Sequence, residues 1–497
     1  MGAKEDKRKQ NQEGWLPWLA NLEQMRGEAL KMGGAERIER LVYARGRMDA
    51  RQRIERLFDP GSFVEIGQLV GSLEKIPGDA YVCGMGKIHG RPALGGVEDF
   101  SVMGGSIGSG GSAKRYRIAE LAKRERVPLV TMLDGAGHRL TDTGGGGRAP
   151  NDLLAMADLS GHVPMVCLIL GAAAGHSALA APLSDFVIMA EYSSMFTGGP
   201  PLVKAAIGEE VTKEELGGVK VCAEIAGSAH NVAADDGAAI DLARAYLSYF
   251  PLHAGGELPT RAGADTGPRR IDEILEIIPT NDRQPYKMHK VIELLVDEGD
   301  YLEYQPGYGR SLITGLAYLG GRVVAIVANN PSVGAGALDS PAAIKAADFL
   351  NMVGLYGHPV IFLTDNPGVL AGTRAEREGI LKWGGRMFHA ERRLKNPKIN
   401  VLIRKGFGFG LVNMAGTPFD NQTATYSFPS MNLAAMPAAS GGKSAKLGAE
   451  AQAQVEQEQR SGPYRMANGL GVDDVIDPRD LRNVLLHSLM LTEGREE

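Results

Sequence analysis

The chain has 497 residues, 44% hydrophobic and 23% charged, with a formal net charge of -5. That length exceeds one ordinary core and calls for about two to four domains, while the slightly acidic balance gives no reason to expect nucleic acid. Cys83, Cys167 and Cys222 lie far apart with no CxxC spacing, and no run of about 18 apolar residues is present, so a zinc ribbon, a disulfide framework and membrane insertion are excluded and a cytoplasmic protein with reduced thiols and no metal is expected.

In chain order, residues 1–60 place charged and apolar positions at helical spacing, as in AERIERLVYARGRMDARQRIERLF, until Asp59-Pro60-Gly61. This predicts an amphipathic lead-in helix packed on a body or a neighbouring subunit. From Gly84 onward, short apolar runs end in glycine and are followed by helical segments: VPLVTMLDGAG, VPMVCLILGAAAG and DFVIMAEYSSMF. Such runs predict βα units with buried, largely parallel strands. The polar, Pro/Gly-bearing stretch His253–Arg270 is the linker candidate. Domains are therefore expected at 61–265 and 266–497 after the 1–60 lead-in, with Ser440–Ser461 a surface helix or a mobile segment.

The two halves repeat one another. Gly84 falls on Gly315 at a shift of 231, and the same frame puts Arg91 on Arg322, Lys114 on Lys345, Pro128 on Pro359, Asp134 on Asp365 and Gly137 on Gly368. The next strand matches at a shift of 233, with Pro164 on Pro397 and Gly175 on Gly408. Arg, Lys, Pro and Asp coinciding in one frame point to two copies of one αβ fold.

Each copy runs a strand into a tight glycine turn, LVTMLDGAGHR and VIFLTDNPGVL, and a second turn follows the next strand, GAAAG at 171–175 and GFGFG at 406–410. Strand-to-helix turns leave outward-pointing N–H groups that can hold a developing oxyanion. Tight βα connection is the plainer role for any one of them, and their recurrence in both copies favours use. GGSIGSGG at 104–111 opens a helix and could face an anion, although it lacks the GK[ST] ending of a P-loop. The tetraglycine Gly144–Gly147 reads as a flexible loop. His138 and His176 belong to no HxxxH or HExxH pattern and read as structural histidines. No GxSxG elbow is convincing, since Gly175-His176-Ser177-Ala178 lacks the closing glycine, which disfavours a Ser-His-Asp hydrolase.

From about Ala35 to the C-terminus the chain resembles the carboxyltransferase, or β, subunits of biotin-dependent acyl-CoA carboxylases of the propionyl-, acetyl- and methylcrotonyl-CoA type. The resemblance rests on ARGRMDARQRIERLFDPGSFVE, DFSVMGGSIG, EEVTKEELGG with AGSAH, QPYKMHKVIELLVDEGDYLE, DNPGVLAGT and VDDVIDPRDLR. It implies an α/β fold of two tandem crotonase-like domains, the ββα-superhelix of the ClpP/crotonase superfamily. It also implies a homo-oligomer, a hexameric ring in the family, in which carboxyl passes from carboxybiotin to the α-carbon of an acyl-CoA through an oxyanion-stabilised enolate. Biotin would arrive on a biotin carboxylase or biotin carboxyl carrier partner, since Lys287 in QPYKM is no biotin acceptor.

By that resemblance the catalytic amides are those of Ala136 and Gly137 in the first copy and Phe409 and Gly410 in the second. Gly104, Gly105, Ser106, His138, Ala174, Gly175 and Val412 would meet acyl-CoA, and Pro367, Gly368 and Gly408 biotin. The chain departs from the family at DGAGHR, usually DSGGAR, at Gly408-Phe409-Gly410, usually Gly-Gly-Ala, and at Val412, often Asp in propionyl-type members. The decarboxylase direction and a repurposed non-catalytic paralogue are the alternatives.

Overall fold

The apolar runs become strands covered on both faces, as continuous hydrophobic stretches require. In the computed structural model, which describes residues 2–139, 151–263, 265–416 and 421–493, the chain divides into two compact units, Met1–Ser248 and Tyr249–Glu497. Gly144–Gly147 lies outside the described residues.

The first unit carries strands β1 (Val64–Glu65), β2 (Tyr81–Ile88), β3 (Arg91–Glu98), β4 (Leu129–Gly135), β5 (Met165–Ala174), β6 (Phe186–Ala190), β7 (Ser194–Phe196) and β8 (Asn231–Ala233). They form one sheet in the order β1-β2-β3-β4-β5-β6-β8, with β7 on β5. The second carries β9 (Tyr301–Tyr304), β10 (Leu312–Leu319), β11 (Arg322–Asn329), β12 (Val360–Asn366), β13 (Lys398–Phe407), β14 (Ala424–Ser427), β15 (Asn432–Ala434) and β16 (Asp474–Val475). Their order is β9-β10-β11-β12-β13-β14-β16, with β15 on β13. In each sheet an antiparallel hairpin leads into parallel strands.

The repeat holds at the level of single residues. Tyr81 pairs with Glu98 and Ile88 with Arg91 in the first hairpin, and Leu312 with Asn329 and Leu319 with Arg322 in the second. The register slips between Leu133 and Gly135 in β4 and between Thr364 and Asn366 in β12, matching points at the shift of 231. Lys114 and Lys345 are both buried. Lys114 donates to the carbonyls of Gly78 and Tyr81, and Lys345 to those of Gln305 and Leu312. Each lysine ties its helix to the start of the hairpin. Burial lowers both ammonium groups, Lys345 to about 8.

Three expectations change. The lead-in is three helices, Gly2–Leu30, Ala35–Leu41 and Ala50–Leu57. Gly34 at φ +87° and Gly46 in the left-handed region interrupt it, and Asp49 starts the third helix with a capping box closed by Gln52. The division falls after Ser248 rather than near residue 265, because the 249–270 stretch is tied to the second unit. There the Tyr249 hydroxyl donates to Asp300, the Arg261 N–H to the Gly321 carbonyl, and Arg269 to the carbonyls of Leu294 and Val296. Of the two forms expected for Ser440–Ser461, the surface helix is the one found, as two helices, Ala438–Ser444 and Ala449–Arg460, separated at 445–448, the second burying none of its residues.

All three cysteines are buried, and burial pushes the thiols up, Cys83 to about 11 and Cys167 to about 12. Among the described residues no helix is long and apolar enough to cross a membrane.

Candidate active site

Strand β4 ends at Gly135 with Ala136 exposed and Gly137 buried at φ +83°. The Gly137 carbonyl accepts from Ile107 N at 2.8 Å, and a Cβ on Gly137 would come within 2.6 Å of the Ala174 carbonyl oxygen. Gly105, also left-handed, leaves no room for a Cβ against the Asp134 carbonyl. These contacts bring the segments 104–106, 134–138 and 174–176 together.

Several sequence expectations take a different form there. The Ala136 N–H donates to the Gly104 carbonyl at 3.2 Å, so it is taken up inside the protein. Ser106 is buried, its hydroxyl donates to Met103 O at 2.8 Å, and its carbonyl accepts from Arg139 at 3.0 Å, so it braces the loop. The glycine-rich helix start faces an anion of the protein itself. Asp79 accepts from Gly111 N at 2.7 Å and from Arg139 at 2.8 Å, and a Cβ on Gly108 would lie 2.6 Å from its carboxylate.

The second turn places His176 and Ser177 after Gly175. His176 Nε2 lies 2.7 Å from Asp152 Oδ1. Burial raises the Asp152 carboxyl, and the His176 hydrogen bond with the nearby Arg115 charge outweighs it, leaving the group below its ordinary 3.8. The buried Ser177 hydroxyl donates to Glu98 at 2.6 Å. Glu98 also accepts from Arg115 and from Asp134 N, both at 2.6 Å, and burial keeps its carboxyl raised despite that charge.

In the second unit Asn366 fastens the two turns together. Its Oδ1 accepts from Gly368 N at 2.7 Å and its Nδ2 donates to the Gly410 carbonyl at 3.1 Å. A Cβ on Gly410 would sit 2.6 Å from that Oδ1 and 2.8 Å from Gly368 Cα, so only glycine fits. Gly408, at φ +52°, opens the short helix Gly408–Asn413, whose first-turn N–H groups lack helical partners. Phe409 is 39% exposed and turns its ring edge-on to Phe388 at 5.8 Å. Val412 is half-buried on the same helix. The structure thus gathers Pro367, Gly368, Gly408, Phe409 and Gly410.

The strand bounds expose one mismatch. Met165–Ala174 and Lys398–Phe407 coincide at the shift of 233, which carries Phe409 and Gly410 onto His176 and Ser177. Ala136 and Gly137 instead fall on Pro367 and Gly368, and Pro367 has no N–H to offer. At the shift of 233 His176 and Ser177 stand in the first unit where Phe409 and Gly410 stand in the second; by sequence His176 reads as structural and Ser177 is passed over, although the Pro164/Pro397 match already carries this correspondence. A groove of about 720 Å³ lined by Val323, Pro359 and Pro397 lies at the opposite, N-terminal ends of β11, β12 and β13 and holds none of these groups.

Residues 41–497 match the family model described as the carboxyl transferase domain. The chain is 36% identical over 96% of its length to the biotin-dependent acetyl-/propionyl-coenzyme A carboxylase beta5 subunit of Mycobacterium tuberculosis, covering 92% of that protein. It is 34% identical to the methylmalonyl-CoA decarboxylase subunit alpha of Veillonella parvula, over 94% of each chain. The transcarboxylase 12S crystal structure, a hexamer with methylmalonyl-coenzyme A and methylmalonic acid bound, superposes with a TM-score of 0.89 at 34% identity, over 97% of this chain and 96% of that one.

Proposed function

The chain belongs to the carboxyl transferase family as a carboxyltransferase subunit of biotin-dependent acyl-CoA carboxylases, and from its paired turns we propose that the first unit holds an acyl-CoA thioester and the second the ureido ring of biotin. The observation that carries this reading is the same glycine-built turn standing at the same place in two sheets, with unpaired amides after it. Two related sites suit two ligands that each present a carbonyl oxygen.

The N–H groups of His176 and Ser177 are the first-unit donors at the thioester oxygen, and they stabilise the enolate when the α-proton leaves. Gly137, pressed on Ala174, fixes that turn. The N–H groups of Phe409 and Gly410 polarise the second carbonyl, and the close fit of Gly410 against Asn366 and Gly368 leaves the space a planar ring needs. Biotin, delivered on a carrier or biotin carboxylase partner, would supply the carboxyl group that the enolate carbon takes up, and its ureido nitrogen, freed of that group, would accept the α-proton. No side-chain nucleophile is required, which agrees with turns built from backbone amides. The hexameric transcarboxylase 12S supports a ring of subunits here.

The Veillonella relative supports a second reading, removal of a carboxyl group from a carboxyacyl-CoA; the same amides serve both directions. Purified chain with free biotin and a panel of acyl-CoA and carboxyacyl-CoA thioesters, followed by isotope exchange of the carboxyl group, tests both. Exchange with at least one thioester is the expected result, and none with any would sink the assignment.

A further inference from the structure

Two imidazoles stand at the first-unit turns where the second unit repeats the same backbone without them. His138 follows Gly137 and His176 follows Gly175, and their ring centroids are 5.8 Å apart, edge to face at 77°. The equivalent residues, at shifts of 231 and 233, are Val369 and Phe409. The Ile107–His138 bridge recurs as Leu338–Val369, and Gly175 and Gly408 share the left-handed conformation. The turn therefore folds without either histidine, so a purely structural role does not explain the pair.

We propose that His138 and His176 read the acyl group of the thioester, selecting chains that carry a hydroxyl or carboxylate over apolar chains of equal length. This rests on the reading that the first-unit turns hold the thioester. The His176 ring is joined through one Cβ to the residue whose N–H is assigned to the thioester oxygen, so an acyl group held there meets the ring. Asp152, 2% exposed, fixes Nε2 and leaves Nδ1 for another partner. His138 is exposed, and among the described residues its ring has no hydrogen-bond partner. Arg139 adds no competing charge, being tied to Asp79 and Ser106. An imidazole pair with open nitrogens beside the reacting carbonyl favours an oxygen-bearing substituent, because an apolar chain would strip water from both rings and return no hydrogen bond.

The test is equilibrium binding of three four-carbon thioesters, butyryl-, 3-hydroxybutyryl- and succinyl-CoA, to the full chain by titration calorimetry. The wild type is compared with His138→Val, His176→Phe and the double variant, which install the second unit's own residues. Wild-type protein should bind one or both oxygen-bearing thioesters at least about tenfold more tightly than butyryl-CoA, and the double variant should bring that ratio to within about twofold of one. His138→Val, on an exposed side chain, should lower the ratio by itself with thermal unfolding unchanged. An equal loss for all three thioesters, or a wild-type preference for butyryl-CoA, would overturn the proposal. Wild-type protein that binds thioesters without discrimination sinks this inference alone, whereas binding none of the three removes the thioester site and the inference with it.

Discussion

Gly171 and Arg404 occupy the same strand position in the two units, and each answers to a buried aspartate. Arg404 donates from β13 to Asp365 at 2.8 Å and stacks on the Tyr286 ring at 4.5 Å. At Gly171 there is no side chain, and the space holds the Arg47 guanidinium, which with Arg53 at 3.0 Å neutralises Asp134. The lead-in segment thus completes the first unit's core by supplying charges that the second unit carries within its own strand.

Arg53→Met is therefore expected to destabilise the protein by about 3–5 kcal/mol, since Arg53 also meets Asp236 at 2.9 Å and its loss strips charge from two buried carboxylates. Denaturant unfolding of variant and wild type measures it. A loss below about 1 kcal/mol would mean that Arg47 suffices. Gly171→Ala should also destabilise, because its Cβ would overlap Asp134 Oδ1.

With Phe409 and Gly410 acting through their amides, as proposed, the backbone of the second-unit turn should matter and the phenyl ring should not. Gly410→Ala should lower carboxyl transfer by about 10²–10³-fold, the cost of displacing an oxyanion donor, because the new Cβ meets Asn366 and Gly368. Phe409→Ala keeps its amide and should stay within a few-fold of wild type. Equal losses in steady-state assays of the two variants would assign the site to the ring.

The first-unit turn gives a parallel contrast. Ala136→Gly should leave transfer within about twofold, since that N–H is already given to Gly104. Gly137→Ala should cost at least about tenfold, because φ +83° and the 2.6 Å approach to the Ala174 oxygen both oppose a side chain. Initial rates under saturating thioester decide it.

Lys345 gives a pH dependence of known sign. Burial lowers it from 10.5 to about 8, so between those values the unfolded chain holds a proton that the folded chain has released. Stability conferred by this group then rises with pH across that window, by at most about 3 kcal/mol. Lys345→Met removes the effect. The stability difference between wild type and variant, followed by urea unfolding from pH 7.5 to 10.5, should move in favour of wild type, and a constant difference would refute the shift.

Much of the architecture was legible in the chain. Strands buried on both faces read as continuous apolar runs, and two copies kept Arg91/Arg322, Lys114/Lys345 and Asp134/Asp365 in one frame, so the parallel strands and the two pairs of turns could be anticipated, whereas the antiparallel hairpin that opens each sheet appeared only in the structure. The lead-in was harder, because its helical spacing runs across Gly34 and Gly46, and periodicity does not register the turns those residues make.

The site divides along the same line. Sequence by itself determined that two glycine turns per copy follow buried strands, since strand period and turn composition are written in residue order. Only the tertiary structure decided which N–H groups stay open: Ala136 is spent on Gly104, Asp79 fills the glycine-rich helix start, and His176 leans on Asp152. Each of those outcomes depends on which acceptor, distant along the chain, folds opposite the donor, and spacing along the sequence carries no record of that.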